Sequence, residues 1–149
     1  MTDLLALEAV QAALGGFGPV ARLRSNRIQV ETGAGRARDA IRRTYDALSC
    51  ERLIQISTVD LGNAFRLTYH LTGLHRTVIS IRIEIPREDP SVPSVHDLLP
   101  PAGIYERQIH DLFGIVFPGH PNLSRIILNE DWPPDEYPMR KDWKPVKGT

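Results

Sequence analysis

Glu106, Arg107, His110 and Asp111 are spaced by single helical turns, with Glu106 four before His110 and Arg107 four before Asp111. On a helix each pair shares a face. A Glu and a His one turn apart have the chemistry to share a metal ion. The stretch lacks a His-Glu-x-x-His pattern and an adjacent third ligand. It therefore reads as two ion pairs on a helix surface, or as part of an interface, each pair contributing a few tenths of a kcal/mol. General acid–base work by Glu106 or Asp111 needs a pocket and a partner group, and no Ser-His-Asp or Cys-His frame surrounds them. A hydrolase or metalloenzyme built from Glu106, His110, Asp111 and His120 requires those side chains to converge.

Gly114-Ile115-Val116-Phe117-Pro118-Gly119 has neither the Lys-Ser/Thr ending of a phosphate loop nor dinucleotide glycine spacing, so its glycines read as turn residues. His120, in Gly119-His120-Pro121-Asn122-Leu123, reads as a loop histidine that bonds backbone and locks a turn; ligand or proton carrier is the alternative. Cys50 is the single cysteine, which excludes an internal disulfide framework and a Cys-built cluster. It reads as a buried, inert thiol.

The elements that must position these residues fall into two unlike parts. Of 12 prolines, Pro19 alone precedes Pro86. Proline breaks helix interiors and cannot donate in central strands, so regular structure is expected before Pro86. Thr2 is a plausible N-cap for a helix carrying Leu4, Leu7, Val10 and Leu14, ended by the glycines from Gly15. Val20 to Arg24 and Arg27 to Glu31 alternate around Ser25-Asn26 as a hairpin. Ala37, Ala40, Ile41, Thr44, Ala47 and Leu48 form a helical apolar stripe, with Arg36, Arg38, Asp39, Arg42, Arg43 and Asp46 mostly on the solvated side. Leu53 to Leu61, the run from Phe65 to Leu71 and the run from Ile79 to Ile85 read as three strands.

The order α-β-β-α-β-β-β predicts an α+β sandwich, with helices on one face of a mixed, mostly antiparallel sheet. Ser94 is placed to cap a turn at Val95–Leu99. Ala102 to Phe113 reads as a short helix with Tyr105, Ile109, Leu112 and Phe113 on one face, stopped by Gly114. Arg125 to Leu128 is the one expected strand in an otherwise extended, proline-rich arm. The division is a body at residues 1–117 and an arm at 118–149.

In that arm Trp132, Tyr137 and Trp143 stand among Pro133, Pro134, Pro138 and Pro145. Aromatics anchor interfaces, and prolines lower the entropy lost when an extended arm docks. The arm either grips a partner or folds back over its own sheet, and both can hold together. Arg140-Lys141-Asp142 is either a solvated cluster or a guanidinium presented to a partner carboxylate.

Across the 149 residues, 18 basic side chains balance 18 acidic ones. A generic nucleic-acid binder needs a positive excess to release counterions, so that class is not expected. Hydrophobic residues at 42% and charged residues at 24% exclude a wholly disordered or collagenous chain. No secretory address or ~20-residue apolar run is visible, so a soluble protein of a reducing cytoplasm is expected. Zero net charge removes one source of colloidal solubility and points to life beside a partner.

The run Glu106-Arg107-Gln108-Ile109-His110-Asp111-Leu112-Phe113-Gly114-Ile115, then Phe117, Gly119-His120-Pro121-Asn122-Leu123, Arg125-Ile126 and Pro138-Met139-Arg140-Lys141-Asp142-Trp143, resembles the signature of the respiratory complex I 30-kDa subunit family, the C subunit of NADH-quinone oxidoreductase and its relatives. Weaker echoes lie in Val59-Asp60, Tyr69-His70-Leu71 and Pro93-Ser94-Val95. The resemblance implies a subunit of the hydrophilic arm of a membrane-bound redox complex, peripheral, on the cytoplasmic side and tied to the membrane only through that complex. It implies no catalytic residue, metal or cofactor on this chain. NAD(H) or another donor, iron–sulfur clusters and quinone then belong to the wider complex. The implied partners are the hydrogenase-large-subunit-like protein at the quinone site and neighbouring iron–sulfur subunits.

Glu106, Arg107, Asp111, Gly119, His120, Pro121, Arg125, Arg140, Lys141 and Asp142 are the signature positions, implied to hold helix, loop and arm in docking geometry. With Trp132, Tyr137 and Trp143, all of these except Gly119 make up the expected docking set. His110 stands where the family usually has Tyr, and Ser124 where a basic residue is common. The Asp131–Tyr137 stretch is longer and richer in proline than in many NADH-linked members. These features resemble relatives in membrane-bound hydrogenases and archaeal-type complexes.

Overall fold

The computed structural model describes residues 4–124, 127–128, 132–133 and 136–144. Apolar periodicity and turn chemistry place the elements in the order α1 (Leu7–Leu14), β1 (Val20–Arg24), β2 (Arg27–Glu31), α2 (Ala37–Leu48), β3 (Arg52–Asp60), β4 (Ala64–Thr72), β5 (Val78–Pro86) and α3 (Ala102–Phe113). This is the α+β order expected from the sequence, with a short 3-10 turn at Ala34–Arg36 leading into α2. The five strands form one sheet in the order β1-β2-β5-β4-β3. The β2/β5 pair is parallel, and β1/β2, β3/β4 and β4/β5 are antiparallel.

Period-two alternation gives the sheet an apolar inner face and a polar outer one. Phe65, Leu67, Tyr69 and Leu71 of β4, and Ile79, Ile81, Ile83 and Ile85 of β5, are buried on the inner face. They meet Val10 and Leu14 of α1, Ala40 and Ile41 of α2, and Ile109 and Phe113 of α3. The Phe113 ring packs edge-on to Phe65, with centroids 5.9 Å apart. On the outer face Arg82 pairs with Glu31, and Arg66 lies 3.0 Å from Glu84.

Several expectations change. Thr2 lies outside the described residues, and α1 starts at Leu7 with Ala6 at its N-cap and no side-chain cap. Leu4 therefore precedes the helix, because the Leu5 N–H is held by the Thr77 hydroxyl at 2.9 Å. Ala47 is exposed, one step off the buried stripe of Ala37, Ala40, Ile41, Thr44 and Leu48. Arg38 is not on a solvated face: it grips Asp97 with two 2.6 Å hydrogen bonds and donates to the Ser94 carbonyl at 2.9 Å. Of the expected strand at 125–128, Arg125 and Ile126 lie outside the described residues, and Ile127 and Leu128 form bends.

After β5 the chain returns beside its own later segment. Val92 N–H donates to Val116 O, Val116 N–H to Pro90 O, and Ser94 N–H to Pro118 O. This brings Ser94 and Val95 against α3. Ser94 caps the turn as expected, its hydroxyl accepting from the His96 N–H at 3.2 Å. A bulge at Ile54 interrupts the β3/β4 register, and the Tyr105 hydroxyl of α3 donates to the Ile54 carbonyl at 2.8 Å.

Candidate functional site

Helix α3 is the spine of the site, and Tyr105, Glu106, Arg107, His110 and Asp111 on it all bond backbone groups. Glu106 is fully buried and accepts from the Ser94 hydroxyl at 2.6 Å and the Val95 N–H at 2.9 Å. Burial pushes its carboxyl above the usual range, and those two hydrogen bonds pull the other way. Among the described residues the fully buried Tyr69 hydroxyl has no hydrogen-bond partner; burial first and the Glu106 charge second raise its pKa. His110 donates from Nδ1 to the Ile115 carbonyl at 2.8 Å. Glu106 and His110 are thus not a surface ion pair. Spacing put them on one face, but that face turns inward, and each bonds a different backbone segment.

Arg107 and Asp111 hold the segment beyond α3. Arg107 donates from Nε to the Ser124 carbonyl at 3.2 Å and from a terminal nitrogen to the Ser124 hydroxyl at 3.1 Å. Asp111 is buried and accepts from the N–H groups of Ile127 and Leu128 at 2.9 and 2.8 Å. His120 donates from Nε2 to the Gly103 carbonyl and accepts at Nδ1 from the Asn122 N–H, at 2.8 and 2.9 Å. It locks its turn, as its loop setting suggested. Gly119 turns the chain just before it at φ +91°, and Pro121 is exposed just after it. Cys50 is fully buried, and burial pushes its thiol up to about 12. That is the inert thiol expected.

The C-terminal segment seats on the Asp60 end of the sheet. Asp60 accepts at one oxygen from Arg87 at 2.6 Å and the Gly62 N–H at 2.8 Å, and at the other from the Lys141 N–H at 2.8 Å. Its side chain is only 2% exposed. Burial alone would raise its pKa; the Arg87 hydrogen bond, with the Lys141 and Gly62 N–H groups, outweighs burial and holds it at about 2. Arg87 also reaches Asp142 at 2.6 Å. Arg140 donates to the Phe113 carbonyl at 2.7 Å and lies over the Tyr137 and Phe65 rings at 4.7 and 5.2 Å. The Met139 N–H donates to Leu112 O at 3.1 Å. Trp132 and Trp143 have ring centroids 5.7 Å apart, and the Trp132 indole donates to Glu136 O at 2.7 Å.

Gly114 makes this seating possible. Its φ of +80° ends α3, and a Cβ there would lie 2.6 Å from the Tyr137 ring and 2.8 Å from Arg140. The structure therefore gathers Glu106, Arg107, Asp111 and His120 along α3, and Tyr137, Arg140, Lys141 and Asp142 at one sheet end. Arg125 lies outside the described residues. Sequence reasoning missed Arg87, whose only signal was its place directly after Pro86 at the close of β5. Among the described residues, no group of three or more His, Cys, Asp or Glu side chains is placed to share a metal ion, and no helix is long and apolar enough to cross a membrane.

Comparison with known proteins gives the chain's family. The respiratory-chain NADH dehydrogenase 30 Kd subunit family matches residues 30–149. The NADH-quinone oxidoreductase C subunit of Acidothermus cellulolyticus is 41% identical over 85 residues, covering 56% of this chain and 43% of that relative. Its counterpart in Roseiflexus castenholzii is 44% identical over 93 residues, covering 62% and 52%. The chain thus spans about half the length of these two relatives. Among solved structures, a chain of the membrane-bound sulfane sulfur reductase, an archaeal respiratory membrane complex, superposes with a TM-score of 0.73 at 28% identity, covering 92% of this chain and 84% of that one. A trypsin-resistant fragment of Nqo5 gives a TM-score of 0.65 at 27% identity, covering 77% and 96%. The match takes in α3, the His120 turn and the Asp60 end of the sheet alike: this chain belongs to the respiratory-chain NADH dehydrogenase 30 Kd subunit family.

Proposed function

We propose that this chain is a structural and assembly subunit of the hydrophilic arm of a complex-I-like membrane-bound oxidoreductase. It docks on the hydrogenase-large-subunit-like protein at the quinone site, beside iron–sulfur subunits, on the cytoplasmic side of the membrane. The carrying observation is the family match over residues 30–149, with the side chains of that match spent on holding backbone. Residues 118–149 serve as the docking arm, with Arg107, Pro121, Arg125, Trp132, Tyr137, Lys141 and Trp143 in its contact set and Glu106, Asp111, His120, Arg140 and Asp142 holding its geometry. NAD(H) or another donor, the iron–sulfur clusters and quinone belong to neighbouring subunits, and this chain carries no cofactor of its own.

Purification of the tagged full chain from detergent-treated native membranes tests this. The expected result is stoichiometric recovery of a large hydrogenase-like subunit and iron–sulfur subunits. Recovery of the chain alone, or of a stoichiometric flavin or cluster on the isolated chain, overturns it. A second reading is the equivalent subunit of a membrane-bound hydrogenase or other non-NADH-linked complex. It is favoured by the 92% coverage in the sulfane sulfur reductase comparison. An NADH-binding flavin subunit in the purified complex decides for the first reading.

A further inference from the structure

Four arginines, Arg24, Arg27, Arg52 and Arg76, are exposed and make no side-chain hydrogen bond or ion pair among the described residues. Every other described arginine is hydrogen-bonded or ion-paired. The four gather at one end of the sheet. Arg24 pairs in register with Arg27, Arg27 with Val78, and Arg52 with Thr72, which lies one step beyond the Leu71–Ile79 pair. One register row therefore crosses all five strands on the polar outer face, with an arginine at three of its five places. Arg76 stands in the β4–β5 turn, where Leu74 is 93% exposed. In segments 22–27, 49–53 and 72–78, which meet here, Glu51 is the only carboxylate, and residues 4–7, brought to this end by the Leu5–Thr77 hydrogen bond, add none. This end lies opposite the Asp60 end that seats the C-terminal segment.

We propose that this arginine row is a second docking surface, and that it takes an acidic segment of a partner protein, with Leu74 as an apolar contact at its edge. Unpaired guanidinium forks match carboxylates in planar geometry. At about 4.8 Å per strand the row is about 19 Å wide, too broad for one phosphate group. An anionic bilayer laid on the same face would extend past the row onto Glu31 and Glu84, 44% and 53% exposed and already paired with Arg82 and Arg66, where the face offers no unpaired positive charge among the described residues. A narrow acidic segment along the row avoids both.

The test uses the isolated full chain and a fluorescent polyglutamate peptide, about 6 extended residues being enough to cross the row. Wild type is expected to bind it, more weakly as salt rises. The Arg27→Gln/Arg52→Gln variant is expected to bind about tenfold more weakly, the loss of two exposed charge contacts. Arg76→Gln, outside every strand, is a second variant free of sheet effects and is expected to weaken binding about twofold. Arg42→Gln, on the exposed side of α2 and away from the row, should bind like wild type. Equal binding by wild type and both arginine variants overturns the proposal. So does arginine-dependent binding to phosphatidylcholine–phosphatidylglycerol vesicles that is tighter than binding to polyglutamate.

Discussion

Asp60 holds a negative charge under the C-terminal segment, and its depressed pKa is a stability statement. The folded value of about 2 lies below the ordinary 3.8. The contribution is fully present above pH 3.8 and is lost as pH falls through about 2. The shift corresponds to about 2 kcal/mol. Asp60→Asn is expected to lose that amount near pH 6 in denaturant unfolding, with the gap to wild type shrinking toward pH 2. A gap that stays constant across this range would show that the charge on Asp60 is not what matters. Glu106 is the opposite case. Burial raises its pKa, so its charged form costs stability increasingly as pH rises above 4.5 and through its folded value. Glu106→Gln keeps an acceptor for the Val95 N–H and removes the ionisation, so the variant should hold its stability from pH 5 to pH 8 better than wild type. Glu106→Ala strands the Ser94 hydroxyl and the Val95 N–H and should cost about 2–4 kcal/mol. Equal melts for the two variants at pH 7 would contradict the hydrogen-bonding role of the carboxyl.

At the scale of elements, Gly114 links a helix end to a segment more than twenty residues later. Gly114→Ala should cost about 1–2 kcal/mol for the left-handed backbone alone, and more because the Tyr137 ring and Arg140 must shift. Both tryptophans lie in the C-terminal segment, so a red shift of intrinsic fluorescence with unchanged far-UV circular dichroism is the expected signature. Loss of the far-UV signal would place the fault in α3 itself. The contrast between Gly114 and Glu106 shows what was legible in the sequence. Helix stops and strand alternation are local, and the bounds of α3, of the hairpin and of the long strands follow from them. The burial of Glu106 is not local. Spacing says that two side chains share a face, not which face is inside, and α3 is covered by the chain on both sides. Asp60 and Arg87 meet across the end of a sheet, 27 residues apart, where no periodicity relates them. Asp60 and Tyr69 entered the sequence reading as strand residues and faint family echoes, and Ser94 as a turn cap; in space they sit against the Lys141 N–H, the Glu106 charge and the Glu106 carboxylate respectively.

For the whole molecule, the question is what the C-terminal segment does for the body when no partner is bound. It donates the Lys141 N–H to Asp60, places Asp142 on Arg87, and lays Arg140 over Phe65 while bonding the Phe113 carbonyl. The periodic apolar core, however, comes almost entirely from residues before Pro118. Truncation after Leu128 removes the former contacts and leaves the latter. The shortened chain should therefore fold with its sheet intact and be less stable by about 3–6 kcal/mol, the scale of two hydrogen bonds to charged groups, Lys141 N–H to Asp60 and Arg140 to Phe113 O. Arg38→Ala is a poor control for assembly, since Arg38 ties α2 to the Ser94–Asp97 turn; Arg42, 66% exposed and 3.8 Å from Asp46, is the better one. Arg140→Ala should lower recovery of the large-subunit partner at least about tenfold relative to Arg42→Ala, the scale of one lost anchor. A truncated chain that cannot fold would make the segment part of the core. A truncated chain that folds and still assembles would mean the partner is gripped elsewhere, with the opposite sheet end the next place to test.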